Sequence, residues 1–366
     1  MEFRLAQPWD EPELRGLVRG NIMPGWIRLA YAREPDFFQG LGVEGPFTQV
    51  IVVREQGQLA GMATRSVRSL YVNGSPRGIG YLGGLRSFER YRRGTGLHRG
   101  FKFLRALHAD GRAPAYLTTI LEGNDAARRL LTSGRAGLAA YLELGRYDTY
   151  AVCLRRGLRR APQPEGVEVR TGPAAAEMLP EIVAFLRAHG RRRQFFPVVE
   201  EEELKSPLYR GLGATDFYVA LGADGIRGVA ARWRQDSFKQ DVVVGYSPAV
   251  GVLRPAANLA LRLSGYAGMP APGETLRQWH VALPCIRDDR PEVLAALLSR
   301  MFQDATDGSH FCIIGFHERD PLREAIRPWR AFRYRSRVYL AGWEEAQALR
   351  PQLDPSLVPH LEPSTL

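Results

Sequence analysis

A hairpin pattern that occurs twice limits the fold of this chain more than any other feature of its sequence. In residues 50–65, two apolar runs flank a Glu-Gln-Gly turn, and in residues 217–232 two such runs flank Gly-Ala-Asp-Gly. Gly228 in the second copy stands where Gly61 stands in the first, at an offset of 167 residues. Apolar runs joined by a glycine-containing turn are typical of a β-hairpin. The sequence therefore predicts two copies of one structural unit.

A second pair of segments repeats at a longer offset. Residues 116–121 form a strand-like run that is followed by Asn-Asp and a short helical pattern, and residues 311–316 are followed by Arg-Asp and a similar pattern. This offset is about 195 residues, so the second half contains an insertion of about 28 residues. Residues 254–273 combine a helical pattern with a loop rich in proline and glycine, and they are the candidate insertion.

The repeats divide the chain into two domains. Its 366 residues exceed the roughly 100 to 200 residues of one typical domain. Residues 155–164 contain two prolines and no apolar periodicity, which is typical of a linker. We expect an N-terminal domain at residues 1–160, a C-terminal domain at residues 167–345, and a tail at residues 346–366, where four prolines disfavour regular structure.

Composition favours a soluble cytoplasmic protein. Hydrophobic residues make up 45% and charged residues 24% of the chain, and no run approaches the roughly 18 apolar residues of a membrane span. The N-terminal segment lacks an apolar stretch of signal-peptide length. Cys153, Cys285 and Cys312 lie far apart without CxxC spacing, which argues against a disulfide framework or a zinc finger.

The net charge of +11 supports anionic partners only weakly. All but three of the 50 basic residues are arginine, and they are spread along the chain and form no single basic stripe. Nucleic acid is therefore not the expected partner. Coenzyme A, which carries phosphates, is an anionic partner that suits this charge.

A glycine loop in the first half is typical of a phosphate-binding site. A strand pattern at residues 81–85 leads into the loop, and an amphipathic helix pattern runs from Leu97 to Asp110. Glycines allow close backbone approach, and the free N–H groups at a helix start attract negative charge. The loop and the helix start consist of Arg92, Arg93, Gly94, Thr95, Gly96 and Leu97.

The region from about residue 82 to residue 150 resembles the core of the Gcn5-related N-acetyltransferase (GNAT) superfamily. Gly94 and Gly96 match the glycines of that family's pyrophosphate loop, although Tyr91 stands at the family's Gln/Arg position. Asn124 and Ala127, after the strand at residues 117–121, match the family's Asn-x-x-Ala motif.

This resemblance implies a fold, a co-substrate and a reaction. The implied fold class is α/β, an α+β mixed sheet, with two tandem GNAT-like domains that each contain a mostly antiparallel sheet flanked by helices. The co-substrate would be acetyl-CoA or another acyl-CoA, whose pantetheine arm would bond to the backbone of Leu85 and Arg86 between two splayed strands. An amine would attack the thioester directly, while a backbone N–H stabilises the oxyanion.

The acid and base of such a reaction are not specified by the motif. Many members of the family place a tyrosine four residues after the motif alanine, where this chain has Leu131. Tyr141 and Tyr147 are the nearby candidates for the acid, and Glu122 is the candidate base. Each residue also has a structural alternative, because either tyrosine can be a packing or strand residue and Glu122 can favour the start of the next helix.

The second half lacks the glycine loop. After its strand at residues 278–284 the chain reads Cys-Ile-Arg-Asp-Asp-Arg-Pro-Glu, in which Asp288 and Asp289 would repel a pyrophosphate and Pro291 removes an N–H donor. We therefore expect acyl-CoA to bind in the first half only and the second half to close the acceptor cleft. Aromatic residues before the first hairpin are candidates for lining that cleft or for ordinary core packing: Trp26, Tyr31, Phe37 and Phe38.

The function predicted from the sequence is acetyl transfer from acetyl-CoA to an unidentified amine, without a metal. Two alternatives remain open at this point. One is an aminoacyl-tRNA-dependent transferase of the peptidoglycan-building type, which would bind tRNA with a steep dependence on salt. The other is a non-catalytic acyl-CoA-binding regulator, which the absence of a tyrosine at Leu131 favours.

Overall fold

The computed structural model describes residues 1–365, apart from residues 24, 89–95, 136, 156 and 159. In the first half the strands are β1 (Glu2–Leu5), β2 (Ile27–Ala32), β3 (Phe47–Glu55), β4 (Gln58–Val72), β5 (Ser75–Ser87), β6 (Tyr116–Leu121) and β7 (Ala140–Cys153). In the second half they are β8 (Glu168–Thr171), β9 (Phe217–Gly222), β10 (Gly225–Trp233), β11 (Gln240–Tyr246), β12 (Gln278–Ile286), β13 (Phe311–His317) and β14 (Ala331–Gly342).

The helices lie between these strands. The first half has α1 (Glu11–Gly20), α2 (Gly96–His108) and α3 (Asp125–Leu131). The second half has α4 (Pro173–Ala176), α5 (Leu179–Gly190), α6 (Glu201–Leu204), α7 (Pro248–Leu263), α8 (Pro291–Asp304) and α9 (Glu344–Leu349). Among the described residues, no helix is both long enough and apolar enough to cross a membrane.

Twelve of the strands form one continuous mixed sheet, which confirms the predicted α/β fold class. The order is β1-β3-β4-β5-β6-β14-β7-β13-β12-β10-β9-β8. β14 of the second half therefore lies between β6 and β7 of the first half, and β7 lies between β14 and β13. Each half thus places one of its strands, β7 or β14, among the strands of the other half at the centre of the sheet. The domain boundary at residues 160–167 remains a prediction, because strands from the two halves pair with one another in a single sheet.

The two predicted hairpins are present and have the same register. Gly61 of β4 pairs with Val53 of β3, and Gly228 of β10 pairs with Ala220 of β9. A Cβ added at Gly61 would lie 2.7 Å from the Arg86 carbonyl oxygen, and one at Gly228 would lie 2.6 Å from an Ile286 methyl group. These are closer than atoms can pack. The repeated glycine therefore reflects the same close approach in both copies.

Helices cover both faces of the sheet in each half. α2 packs on one face through Phe101 and Leu104, and α1 packs on the other through Leu14 and Leu17. In the second half, α8 and α5 cover opposite faces in the same way. Full burial of each such leucine or phenylalanine contributes about 1.5–3 kcal/mol, so these helices are firmly attached to the sheet.

A second contact between the halves lies just before the insertion predicted at residues 254–273. Those residues form the later part of α7, whose residues are all at least partly exposed, and the loop that follows it. Before it, β11 pairs antiparallel with β2 of the first half in a two-stranded sheet, with Asp241 opposite Tyr31. Tyr31 belongs to this small sheet, which covers the side of β5 that faces the Tyr31 ring.

Candidate functional site

Strands β5 and β6 are parallel, but they pair over two residues only. Gly80 lies opposite Tyr116 and Tyr81 opposite Leu117, and no later residues of the two strands pair. Beyond this point β5 continues beside β4 as far as Ser87, while β6 continues beside β14. The carboxyl ends of the two strands therefore separate and leave a cleft. The Tyr81 hydroxyl and Thr119 Oγ1, 3.0 Å apart, form a hydrogen bond across its narrow end.

A bulge in β5 shapes one wall of this cleft. Met62 pairs with Arg86 and Thr64 with Gly83, so Gly84 and Leu85 together oppose one residue of β4. Gly84 has φ +60°, which favours glycine, and a Cβ there would lie 3.1 Å from the Thr64 methyl group. Leu85 is 57% exposed. The bulge turns the backbone of Gly84 and Leu85 towards the cleft.

The predicted cofactor residues fall into two groups. Arg92, Arg93, Gly94 and Thr95 lie outside the described residues, whereas Gly96 and Leu97 lie in the first turn of α2, which begins one residue before the predicted start at Leu97. Asn124 caps α3, because its side-chain oxygen accepts a hydrogen bond from the Ala127 amide at 3.2 Å. The Asn-x-x-Ala segment thus fixes the start of the helix that follows β6.

The structure does not bring Glu122, Tyr141 and Tyr147 together. Glu122 lies at the exposed end of β6, with a carboxylate oxygen 3.9 Å from Arg337 Nε. The Tyr141 ring packs against Phe101 on the α2 face of the sheet, and burial raises the pKa of its hydroxyl.

Tyr147 lies in a different core cluster, with Leu117 and Leu361, and is 3% exposed. Its hydroxyl donates to the Leu361 carbonyl at 2.7 Å. Burial raises the pKa of this tyrosine well above its usual value. These contacts indicate that Tyr147 anchors the C-terminal tail.

The predicted aromatic residues also separate. Phe37 is part of the core and Phe38 packs against it, while Trp26 is 79% exposed. Tyr31 also packs against this core, and its ring lies beside the guanidinium of Arg86 on β5, the strand that borders the cleft.

A small cavity of about 30 Å³ adjoins the point where the strands separate. Gly80, Tyr81 and Leu117, which form the last strand pairs, line it together with Glu44 and Arg68. Burial raises the pKa of the Glu44 carboxyl, although Lys239 and Arg33 oppose this shift. Burial also raises the pKa of Tyr81 to about 12, so its hydroxyl keeps its proton at neutral pH. A proton acceptor and a proton donor therefore lie at the narrow end of the cleft.

Arg68 is an unusual member of this group. It is 9% exposed, and its Nε and Nη1 atoms are buried without a hydrogen-bond partner. Its Nη2 donates to the Tyr209 hydroxyl at 3.1 Å. A buried cation with two free donors is costly, which is typical of a functional site.

A wall of charged groups from both halves lies close to Glu44, which itself lines this cavity. Burial raises the pKa of Asp241 to about 6 and lowers the pKa of Lys239 to about 7. Asp241 accepts a hydrogen bond from Gln278 at 2.5 Å, and its other oxygen is buried without a partner. Arg33 and Arg86 complete the wall, and burial lowers the pKa of both.

The second half has the same bulge but a filled cleft. β12 pairs with β13 at Gln278, Trp279 and His280, and its bulge places Leu283 at φ +52°. The Leu283 amide donates to a carboxylate oxygen of Glu362 at 2.8 Å. The C-terminal tail therefore occupies the position beside the second bulge.

The residues that replace the glycine loop are held by arginines. Asp288 lies 3.4 Å from Arg192, and Asp289 lies 2.5 Å from Arg193. These pairs tie the loop to the end of α5 beside a cavity of about 470 Å³. Among the described residues, no three His, Cys, Asp or Glu side chains come together as a metal ion would require.

No sequence pattern predicts that five charged residues lie close together: Glu44, Arg68, Arg86, Lys239 and Asp241. Each is an isolated charged residue, and the two halves contribute them from separate strands and loops. Only the pairing of β11 with β2 and the splay of β5 and β6 bring them together.

No protein-family model matches the sequence, and no curated protein matches it. Solved structures that are similar in overall form include the following two. A protein of unknown function from Enterococcus faecalis V583, described as a probable N-acyltransferase, is 11% identical, with a TM-score of 0.48 over 92% of this chain and 72% of that one. Eis1 from Mycobacterium abscessus is 14% identical, with a TM-score of 0.45 over 93% of this chain and 73% of that one.

Proposed function

We propose that this protein is an acyl-CoA-dependent N-acyltransferase that moves an acetyl group from acetyl-CoA to an amine. One observation carries the proposal: β5 and β6 separate after two residue pairs, beside a bulge at Gly84 and ahead of a glycine loop that leads into α2. An extended arm with amide groups fits such a gap, because backbone atoms on the inner edge of each strand have no strand partner there.

The residues at this cleft suit a coenzyme A thioester. Leu85 and Arg86 would offer backbone groups to the pantetheine arm, and the glycine loop with the first turn of α2 would hold the pyrophosphate. The bound thioester would supply an activated acyl carbon. A backbone N–H at the bulge would stabilise negative charge that develops on the acyl oxygen.

Glu44 and Tyr81 are the groups that we assign to proton transfer. The amine nitrogen forms a bond to the acyl carbon while the carbon–sulfur bond breaks, which gives an amide and a free thiol. Glu44, whose pKa burial raises, would accept the proton that the amine loses. Tyr81 would donate a proton to the leaving sulfur and regain one from solvent, and Glu44 would release the proton it accepted to solvent.

The cofactor step is tested by isothermal titration with acetyl-CoA. We expect Gly94→Asp and Gly96→Asp to weaken binding at least tenfold, because a carboxylate would face the pyrophosphate. Gly16→Asp is the matched control, since Gly16 lies in α1 with open space around it. The phosphate-binding role of the loop is wrong if the wild type does not bind, or if all three variants bind equally well.

The chemical step is tested by release of free thiol across a panel of amines. We expect Glu44→Gln and Tyr81→Phe to lower kcat by about 10²–10⁴, the usual effect of losing an acid or base, with acetyl-CoA affinity unchanged. Binding without turnover on any amine would support the regulator instead, which the buried Leu131 also favours. Salt-dependent binding of tRNA, with none of acetyl-CoA, would support the aminoacyl-tRNA transferase.

The second half would form part of the acceptor side, since β11 carries Asp241 to the wall opposite Tyr31. We assign the protein to the cytoplasm, where its three free cysteines would remain reduced.

A further inference from the structure

Two guanidinium groups lie close to one aromatic ring, that of Tyr31, beside strand β5, which borders the cleft. The Arg86 carbon Cζ lies 5.6 Å from the centre of the Tyr31 ring, and the Arg33 Cζ lies 5.9 Å from it. Both side chains are partly buried. Arg33 uses one donor on the Ala32 carbonyl, at 3.1 Å. Among the described residues, no carboxylate lies within ion-pair distance of either guanidinium.

Two of the most deeply buried arginines of this protein, Arg65 and Arg193, are paired with carboxylates. Arg65 is fully buried and makes two hydrogen bonds to Asp110, at 2.7 and 2.8 Å. Arg193 is similarly enclosed and bonds to Asp320 and Asp289. Arg33 and Arg86, like Arg68, have no such carboxylate partner among the described residues, so their donors remain available to a ligand.

The nearby acids do not satisfy these donors. Glu44 and Asp241 attract Arg33, and Glu44 attracts Arg86, but only through space. Arg33 also repels Arg86, and Lys239 adds a further positive group to the same wall. Two unpaired guanidinium groups that repel each other are stabilised by an anion that binds both.

The proposed acyltransfer reaction gives this anion site a use. Glu44 lies near both arginines and lines the cavity where β5 and β6 separate, so an acceptor held by the arginines would have its amine near Glu44. Guanidinium forks match carboxylate and phosphoryl oxygens in two-point contacts.

Resting on the function proposed above, we propose that the acceptor is an amine that also carries an anionic group, a carboxylate or a phosphoryl, which Arg33 and Arg86 bind. The amine end then faces Glu44 and the acyl carbon, and the anionic end faces the Tyr31 wall. A polycationic acceptor would meet repulsion from the same two side chains.

The test compares acceptors that differ only in the anionic group. β-Alanine is paired with 3-amino-1-propanol, and phosphoethanolamine with ethanolamine, and turnover with acetyl-CoA is followed by thiol release. We expect kcat/KM to be at least tenfold higher for one of the two anionic members than for its neutral partner. The pair that responds distinguishes a carboxylate from a phosphoryl group.

Variants then assign the preference to the two arginines. Arg33→Gln and Arg86→Gln should each reduce the anionic-to-neutral ratio at least tenfold, mainly through KM. Arg155→Gln should leave the ratio unchanged, because Arg155 lies over the ring of Tyr266, on a different part of the surface. Equal rates for both members of each pair, or a ratio that survives both variants, would overturn the inference and leave acyl transfer standing.

A binding measurement keeps the inference testable if none of these amines is turned over. The same four compounds are titrated onto the protein saturated with coenzyme A. Preferential binding of an anionic member, lost in Arg86→Gln, supports the site, and the absence of any preference overturns it. Failure to bind coenzyme A at all would refute the proposed function itself, which is a separate outcome.

Discussion

Removing the hydroxyl of Tyr147 separates its structural contact from the catalytic role that the sequence suggested. In Tyr147→Phe the ring stays in its cluster with Leu117 and Leu361, and only the hydrogen bond to the Leu361 carbonyl is lost. Such a bond contributes about 0.5–1.5 kcal/mol, and a buried carbonyl left without a partner costs about 1–3 kcal/mol. We expect the free energy of unfolding to fall by about 1–3 kcal/mol.

Urea unfolding and enzyme turnover measure the two roles independently. The urea midpoint of Tyr147→Phe should fall while the slope stays the same, because the surface exposed on unfolding does not change. Its kcat and acetyl-CoA affinity should match the wild type. Tyr141→Phe is the control on the same strand, since no described group hydrogen-bonds to the Tyr141 hydroxyl, and its midpoint should not move.

The opposite result would refute this reasoning. A catalytic hydroxyl contributes about 10²–10⁴ to the rate, whereas a tail anchor contributes stability. A fall in kcat of that size with an unchanged urea midpoint would return Tyr147 to the reaction. The same result in Tyr141→Phe would identify Tyr141 as the acid in place of Tyr81.

Three further predictions follow from single contacts. Gly84→Ala should cost about 1–2 kcal/mol in urea unfolding, because φ +60° disfavours a side chain, whereas Gly16→Ala in exposed helix should gain about 0.5–1 kcal/mol. Arg193→Met should cost about 3–5 kcal/mol, because it leaves buried Asp320 unpaired, and equal urea midpoints would contradict this. Burial raises the pKa of Asp241 from 3.8 to about 6 against the opposing effect of Arg33 and Lys239, so the folded protein binds this proton more tightly than the unfolded chain does. Wild-type stability should therefore fall relative to Asp241→Asn as pH rises from about 4 to 6, by at most about 3 kcal/mol, which urea unfolding at several pH values would measure.

The local parts of the fold were predictable from the sequence because they depend on neighbouring residues. The repeated hairpins, the strand at β6 with its Asn124 cap, and the helix that begins after the glycine loop all follow from periodicity and turn residues. Gly61 and Gly228 even share their register. The exchange of β7 and β14 was not predictable, because it depends on pairing between strands almost 200 residues apart.

The site was only partly predictable for the same reason. The glycine loop and Asn124 form motifs with fixed spacing, so they can be recognised in one segment. Glu44, Arg68 and Arg86 have no such spacing, and Lys239 and Asp241 come from the other half. Their grouping depends on where β4, β5 and β11 cross the cleft, which periodicity does not encode.

The second half has no glycine loop, yet its strand β12 has a bulge at the same point as the bulge in β5 of the first half. Gly84 and Leu283 occupy the same point, at φ +60° and +52°, yet a leucine pays about 1–2 kcal/mol for this conformation. The Leu283 amide gains a charged acceptor in Glu362, which also accepts a hydrogen bond from Ser364. An acyl oxygen would have to displace that buried carboxylate, whereas no described side chain accepts from the Gly84 amide. The second bulge therefore holds the C-terminal tail through Glu362, and the neighbouring Leu361 accepts a hydrogen bond from Tyr147 of the first half, so the tail links the two halves.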